Sequence, residues 1–140
     1  MTAGTGVRHS EFNPSDKEGV HLYQIWLLPE RKGLEPSYEE LVLGEDEKQG
    51  RFRLVASPDG ADDSMTLYQD ARLYLASLLP GQAVSHQVDP GRAAWLQVLR
   101  GSVDSFAKNL AAGDGVAITD ENTAAVQAAV PSEVLLFDLA

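Results

Sequence analysis

Short apolar segments separated by turn residues fill most of this chain, and this pattern restricts the fold more than any other feature. Turn pairs such as Pro80-Gly81 and Arg100-Gly101 divide the sequence into stretches of alternating apolar and polar side chains. Alternation with a period of two is typical of half-buried strands, and many short strands indicate a β-sandwich or small barrel. The predicted strands lie at residues 20–28, 51–56, 65–68, 71–79, 93–99, 102–106, 115–119, 124–128 and 133–139.

Length and composition exclude several classes of function. The 140 residues make about one average domain, and the formal net charge of −10 disfavours direct binding to a nucleic-acid backbone. The absence of cysteine excludes disulfides, thiolate metal sites and a cysteine nucleophile, and it fits a cytoplasmic location. No apolar stretch is long enough to span a membrane, and no secretory signal is recognisable at the N-terminus.

His9 and Glu11 form the most informative pair of polar residues. On an extended strand, two residues separated by one position point to the same face. An imidazole nitrogen beside a carboxylate oxygen makes half of a coordination site for a divalent transition metal. The pair lies close to the N-terminus, and no His-rich motif follows it in the sequence.

Two later segments resemble the signatures of the cupin superfamily. The stretch from Gly81 through His86, followed by a strand that ends at Gly101, is similar to the first signature. The Gly113-Asp114 turn, which leads into another strand, is similar to the second. This resemblance implies a jelly-roll barrel, although Val88 stands where a second histidine is expected. One imidazole is too few for a metal site, so His86 is predicted to be a structural or surface-loop histidine.

The chain as a whole resembles the pirin family, whose members contain two consecutive cupin barrels. The resemblance rests on residues 1–13, 21–31, 36–38, 69–71, 101–103, 113–115 and 135–139. It implies an all-β, cupin-type jelly-roll β-barrel with an N-terminal strand arm. The expected division is an arm left from the metal-binding barrel at residues 1–30, a linker at 31–50 and a C-terminal barrel at 51–140. Within the linker, Ser37 could cap a helical turn at residues 37–40.

The same resemblance implies a metal-dependent activity. Pirins hold a non-haem iron or a similar metal with three histidines and one glutamate, and His9 and Glu11 match the His-x-Glu part of that set. Several pirins act as quercetin 2,3-dioxygenases, which makes Glu11 the candidate catalytic acid or base and a flavonol-like aromatic the candidate substrate. Fe(II) or another divalent transition metal is expected only if the half site is completed. Activity is therefore expected to be impaired in a chain that matches only the second half of a pirin.

Two other classes of function stay open at this stage. One is a non-catalytic cupin module for dimerisation or protein interaction, similar to the co-regulator role known in the family. The apolar residues Phe12, Leu22, Ile25, Trp26 and Leu28 predict a homodimer through residues 1–30, because open strand edges tend to pair.

The other is a hydrolase built from Ser85, His86 and Asp89. It is disfavoured, because adjacent residues on a strand point to opposite faces.

Overall fold

The computed structural model describes residues 1–140, and almost all of its regular structure follows residue 44. A single short helix, α1, spans Glu45–Lys48. The strands are β1 (Arg53–Ser57), β2 (Met65–Thr66), β3 (Ala71–Leu78), β4 (Ala83–Gln87), β5 (Ala93–Arg100), β6 (Ser102–Ser105), β7 (Lys108–Ala111), β8 (Gly115–Ile118), β9 (Thr123–Ala128) and β10 (Ser132–Leu139). A 3₁₀ turn at Ala61–Asp63 connects β1 to β2.

The strands form two sheets that enclose the core. One sheet has six strands in the order β2-β1-β3-β10-β5-β8, and the other has four in the order β4-β9-β6-β7. All pairings are antiparallel except that of β1 with β2. The predicted all-β jelly-roll barrel is therefore confirmed.

The main core lies between the sheets and contains 15 buried residues. Along β10, Val134 and Leu136 point into it, whereas Leu135 and Phe137 point to the other face of the six-stranded sheet. This alternation is the expected consequence of the pleat. Burial of β10 on both faces explains why its sequence is almost continuously apolar.

A second, smaller apolar cluster covers the outer face of the six-stranded sheet. Its buried members include Leu73 and Phe137, and Leu27, Leu41 and Leu43 pack against them. The segment before the barrel is thus held to it by side chains. None of the helices is long and apolar enough to cross a membrane.

The N-terminal segment differs from its prediction, because residues 20–28 do not form a strand. No residue from 7 to 29 makes a backbone–backbone hydrogen bond. An apolar segment becomes a strand only when another strand satisfies its backbone groups, and no strand of the barrel pairs with this one. Trp26 and Leu28 are each 85% exposed and Phe12 is 81% exposed.

Smaller differences also have local causes. Ser37 does not cap a helical turn, because its backbone pairs with Thr2 through two hydrogen bonds of 2.8 and 3.1 Å. The only α-helical turn begins after Gly44, whose backbone N–H donates to the Glu47 side chain at 2.8 Å. The strands β4 and β7 were not predicted, because each is short and lies close to turn residues.

Candidate metal site and comparisons with known proteins

His9 and Glu11 lie side by side on the surface of the arm, which is residues 1–30. His9 Nε2 is 3.4 Å from Glu11 Oε1, so both side chains point to the same side of the backbone. Their side chains are 41% and 51% exposed, respectively. The arrangement offers one nitrogen and one oxygen ligand to a cation that approaches from solvent.

The start of the arm is fixed by contacts with the segment that leads to the barrel. Thr2 pairs with Ser37, and Gly4 lies against the backbone at Leu34. A Cβ atom on Gly4 would stand 2.2 Å from the Leu34 carbonyl oxygen, and the φ of Gly4 is +50°. A glycine is therefore required at position 4. The last backbone–backbone hydrogen bond before His9 runs from the Gly6 N–H to the Ala3 carbonyl oxygen.

The remaining histidines do not complete the site. The ring of His21 packs edge-on against Tyr23 at a centroid distance of 5.0 Å. His86 lies inside the barrel on β4. No group of three or more His, Cys, Asp or Glu side chains could hold a metal ion. Since a catalytic metal usually has three protein ligands, His9 and Glu11 of one chain do not by themselves fit it.

A second polar group closes one end of the barrel. His86 Nε2 is 2.7 Å from Asp138 Oδ2, and Asp138 is only 4% exposed. Arg92 donates from Nε to the other oxygen of Asp138 and from Nη1 to Asp70 at 2.8 Å. Burial opposes ionisation of Asp138, but hydrogen bonds from Arg92 and His86 outweigh it and lower its pKa below the ordinary value of 3.8.

Aromatic rings surround the imidazole of His86. The Tyr74 ring centroid is 4.6 Å from that of His86, and the Phe52 centroid is 6.4 Å away. Burial, with a smaller contribution from the charge of Asp138, raises the pKa of Tyr74. These contacts support the prediction that His86 is structural. They oppose the hydrolase alternative, because His86 bonds to Asp138 while Ser85 is exposed on the opposite face.

Sequence reasoning did not identify Asp138 as the partner of His86. One signal was available: Asp138 is the single charged residue between Val134 and Leu139 in an otherwise apolar strand. By alternation it falls on the same face as Val134 and Leu136, which is the inner face. A buried carboxylate needs a cationic or hydrogen-bonding partner, and His86 and Arg92 supply it.

Comparisons with known proteins agree with this architecture. The pirin family model described as "Quercetinase C-terminal cupin domain" matches residues 54–139. The chain belongs to the pirin family. Its barrel is the C-terminal cupin domain of that family, as predicted.

A quercetin 2,3-dioxygenase of Escherichia coli (strain K12) is 46% identical over 139 residues. The match covers 99% of this chain and 59% of that pirin relative. The crystal structure of YhhW from Escherichia coli has a TM-score of 0.76 and 37% identity, covering 82% of this chain and 48% of that one. A second structure, bacterial pirin YhhW in complex with nickel(II), has a TM-score of 0.73 and 40% identity over 79% of this chain and 47% of that one.

The chain thus spans about 59% of the length of the Escherichia coli quercetin 2,3-dioxygenase that it matches. The family and the fold of the barrel follow from these comparisons. The boundaries at residues 30 and 50 stay predictions, as do the metal-binding roles of His9 and Glu11.

Proposed function

We propose that this chain contributes to a metal-dependent dioxygenase of the quercetin 2,3-dioxygenase type. The observation that carries the proposal is the 3.4 Å separation of His9 and Glu11 in a chain that belongs to the pirin family. A relative with 46% identity bears the name quercetin 2,3-dioxygenase, which supports a flavonol-like aromatic as the substrate. We place the protein in the cytoplasm, because a chain without cysteine fits a reducing compartment.

The proposed metal is Fe(II) or another divalent transition ion. The nickel(II) complex of bacterial pirin YhhW supports this class of cation. Imidazole and carboxylate together suit such ions, and His9 and Glu11 offer one of each. Glu11 is also the candidate that accepts a proton from a substrate hydroxyl group, because its carboxylate is half exposed.

A turnover assay on the full 140-residue chain tests the proposal. Quercetin consumption is followed by absorbance with Fe(II) or Ni(II) added, for the wild type and for His9→Ala and Glu11→Gln. We expect slow, metal-dependent turnover that both variants reduce by at least about tenfold, while His21→Ala retains the wild-type rate. Equal rates in all four proteins, or no turnover with either metal, would refute the proposal.

The second candidate function is a non-catalytic module for dimerisation or protein interaction, similar to a pirin-type co-regulator. It is favoured by the exposure of Phe12, Trp26 and Leu28 and by the lack of backbone–backbone hydrogen bonds at residues 7–29. Exposed apolar side chains beside unpaired backbone groups are typical of a surface that binds another chain.

We propose that the partner is a second copy, which binds through residues 1–30. Light scattering coupled to size exclusion checks this proposal. A monomer at all concentrations, with and without metal, would exclude it.

A further inference from the structure

We propose that the cavity between α1, β1 and β3 is a separate binding site, which takes a small aromatic carboxylate. The cavity measures about 400 Å³, and its walls include Arg51, Phe52, Leu54 and Tyr74. Small-molecule sites in proteins occupy about 300–1,000 Å³ and combine apolar side chains with a few polar groups that orient the ligand. The inference goes beyond the proposed function, because none of these residues lies in the arm.

The apolar wall of the cavity consists of two aromatic rings and a leucine. The centroids of Phe52 and Tyr74 are 6.3 Å apart, and the rings meet edge-on at 69°. Leu54 lies directly opposite Tyr74 on β1 and is 8% exposed. Rings that meet edge-on do not cover each other's faces, and a planar aromatic ligand can stack on such a face. This wall therefore favours a flat aromatic ligand over a flexible aliphatic one.

The Tyr74 hydroxyl group is the first polar contact that the cavity offers. The side chain is half-buried, yet its hydroxyl makes no hydrogen bond with another residue of the chain. A tyrosine hydroxyl in such surroundings usually has a partner. Because burial raises the pKa of Tyr74, the hydroxyl stays protonated at neutral pH and can donate to an oxygen of the ligand.

Arg51 supplies the positive charge of the site. Its Nε donates to the Glu47 carbonyl oxygen at 2.7 Å, and its Nη2 donates to the Asp46 carbonyl oxygen at 2.9 Å. These bonds hold the guanidinium in place beside the cavity, but neither acceptor is a carboxylate, and Nη1 bonds to no residue of the chain. A fixed guanidinium that keeps free N–H groups is suited to binding a carboxylate.

Two acidic residues also line the cavity, and they differ in their availability. One carboxylate oxygen of Glu47 accepts from the Gly44 N–H at 2.8 Å, and the other lies 3.9 Å from Arg53 Nε. Asp62 is exposed, and only its carbonyl oxygen accepts from Arg53, at 2.6 Å. The charge of Glu47 is thus balanced by Arg53, whereas the Asp62 carboxylate opposes an anionic ligand. Neutralising Asp62 should therefore strengthen binding.

NMR titration of the full chain with 4-hydroxybenzoate tests the site. His86 is the reporter, because its ring centroid lies 4.6 Å from that of Tyr74 and 6.4 Å from that of Phe52. The two other histidines, His9 and His21, lie in the arm and serve as internal references. We expect a saturable shift of the His86 ring resonances alone. No shift of His86 at millimolar ligand, or equal shifts of all three histidines, would overturn the proposal.

Four variants, measured by titration calorimetry with the same ligand, test the polar contacts. We expect Arg51→Gln to weaken binding about tenfold and Tyr74→Phe to weaken it about fivefold. Asp62→Asn should strengthen binding about threefold. Asparagine tolerates the φ of +52° at this position, so the loop keeps its shape. Arg100→Gln, an exposed position on β5 outside the cavity, should leave the affinity unchanged. An affinity that both Arg51→Gln and Asp62→Asn leave unchanged would exclude a carboxylate bound here.

Two smaller probes separate the contributions of the ring and of the charge. Phenol has the ring without the carboxylate, and acetate has the carboxylate without the ring. Each should bind about tenfold more weakly than 4-hydroxybenzoate. Phenol binding as tightly would overturn the role of Arg51, and acetate binding as tightly would overturn the role of the aromatic wall. No metal is added in these titrations, so their outcome is independent of His9 and Glu11.

Discussion

His86 Nε2 donates a hydrogen bond of 2.7 Å to Asp138 Oδ2, and this contact joins the four-stranded sheet to the six-stranded sheet. Arg92, in the turn between β4 and β5, bonds to the other oxygen of the same carboxylate. A buried carboxylate on β10 therefore holds two side chains from β4 and the turn that follows it. Asp138 is the only charged residue among the buried ones, whose other polar members are all serines.

Asp138→Asn should destabilise the protein and change its response to acid. Because the fold lowers the pKa of Asp138, the carboxylate stabilises the folded state above the unfolded pKa near 3.8 and loses that effect as pH falls through the lower folded pKa. We expect a loss of about 3 kcal/mol at pH 7 and a difference from wild type that shrinks as the pH falls below the unfolded value and through the lower folded pKa. Urea unfolding at a series of pH values measures the unfolding free energy of the variant and of the wild type, with Asp120→Asn on the surface as the control. A pH-independent difference would contradict the assignment.

The neighbouring residues Ser85 and His86 should respond very differently to truncation. His86→Ala removes the bond to Asp138 and leaves a space beside Tyr74, so we expect a loss of about 2–3 kcal/mol of unfolding free energy. Ser85→Ala removes an exposed hydroxyl and should stay within about 0.5 kcal/mol. Denaturant titration of both variants is the measurement. Equal effects would mean that His86 does not connect the sheets.

Gly101→Ala should be among the most damaging single-methyl changes in the barrel. The φ of Gly101 is +78°, and a Cβ atom there would lie 2.3 Å from the Pro131 carbonyl oxygen. Backbone strain and the clash together should cost at least about 2 kcal/mol. Gly19→Ala is the matched control, since nothing lies within 4 Å of its added Cβ and its φ is not positive. Thermal unfolding of both variants measures the effect on Tm, and an unchanged Tm for Gly101→Ala would refute the prediction.

Leu27 and Trp26 are adjacent in the arm but should affect different properties. Leu27 packs against the cluster on the outer face of the six-stranded sheet, so Leu27→Ala should lower the unfolding free energy by about 1–2 kcal/mol. Trp26 is 85% exposed, so Trp26→Ala should leave that free energy within about 0.5 kcal/mol and weaken self-association instead. Denaturation and light scattering on each variant separate the two effects. Loss of stability in Trp26→Ala would contradict the exposure of its ring.

The barrel could be predicted from the sequence because its signals are local. Alternation along β10 and the turn at Gly101 each follow from nearby residues, and the structure places both as expected. The segment at residues 20–28 shows the limit of this reasoning. Its sequence is as apolar as that of β5 and predicted a largely buried strand, yet whether it pairs depends on a neighbouring strand, which lies outside any local window.

In the candidate sites, too, local geometry could be predicted from the sequence, whereas long-range contacts could not. His9 and Glu11 were predicted to face the same side, and their 3.4 Å separation agrees with that local geometry. The partnership of His86 with Asp138 joins positions 52 residues apart in sequence, so only the folded topology brings them together.

The free backbone of the arm gives the molecule two very different rates of exchange with water. Amide protons of β5 and β10 are bonded across the central strands and exchange only when the barrel opens. Those of residues 8–12 have no backbone acceptor and exchange as freely as in a short peptide. The rate of deuterium uptake at residues 8–12 therefore shows whether another strand has bound there. The exchange rates of β5 and β10, which such binding leaves unchanged, serve as the internal reference.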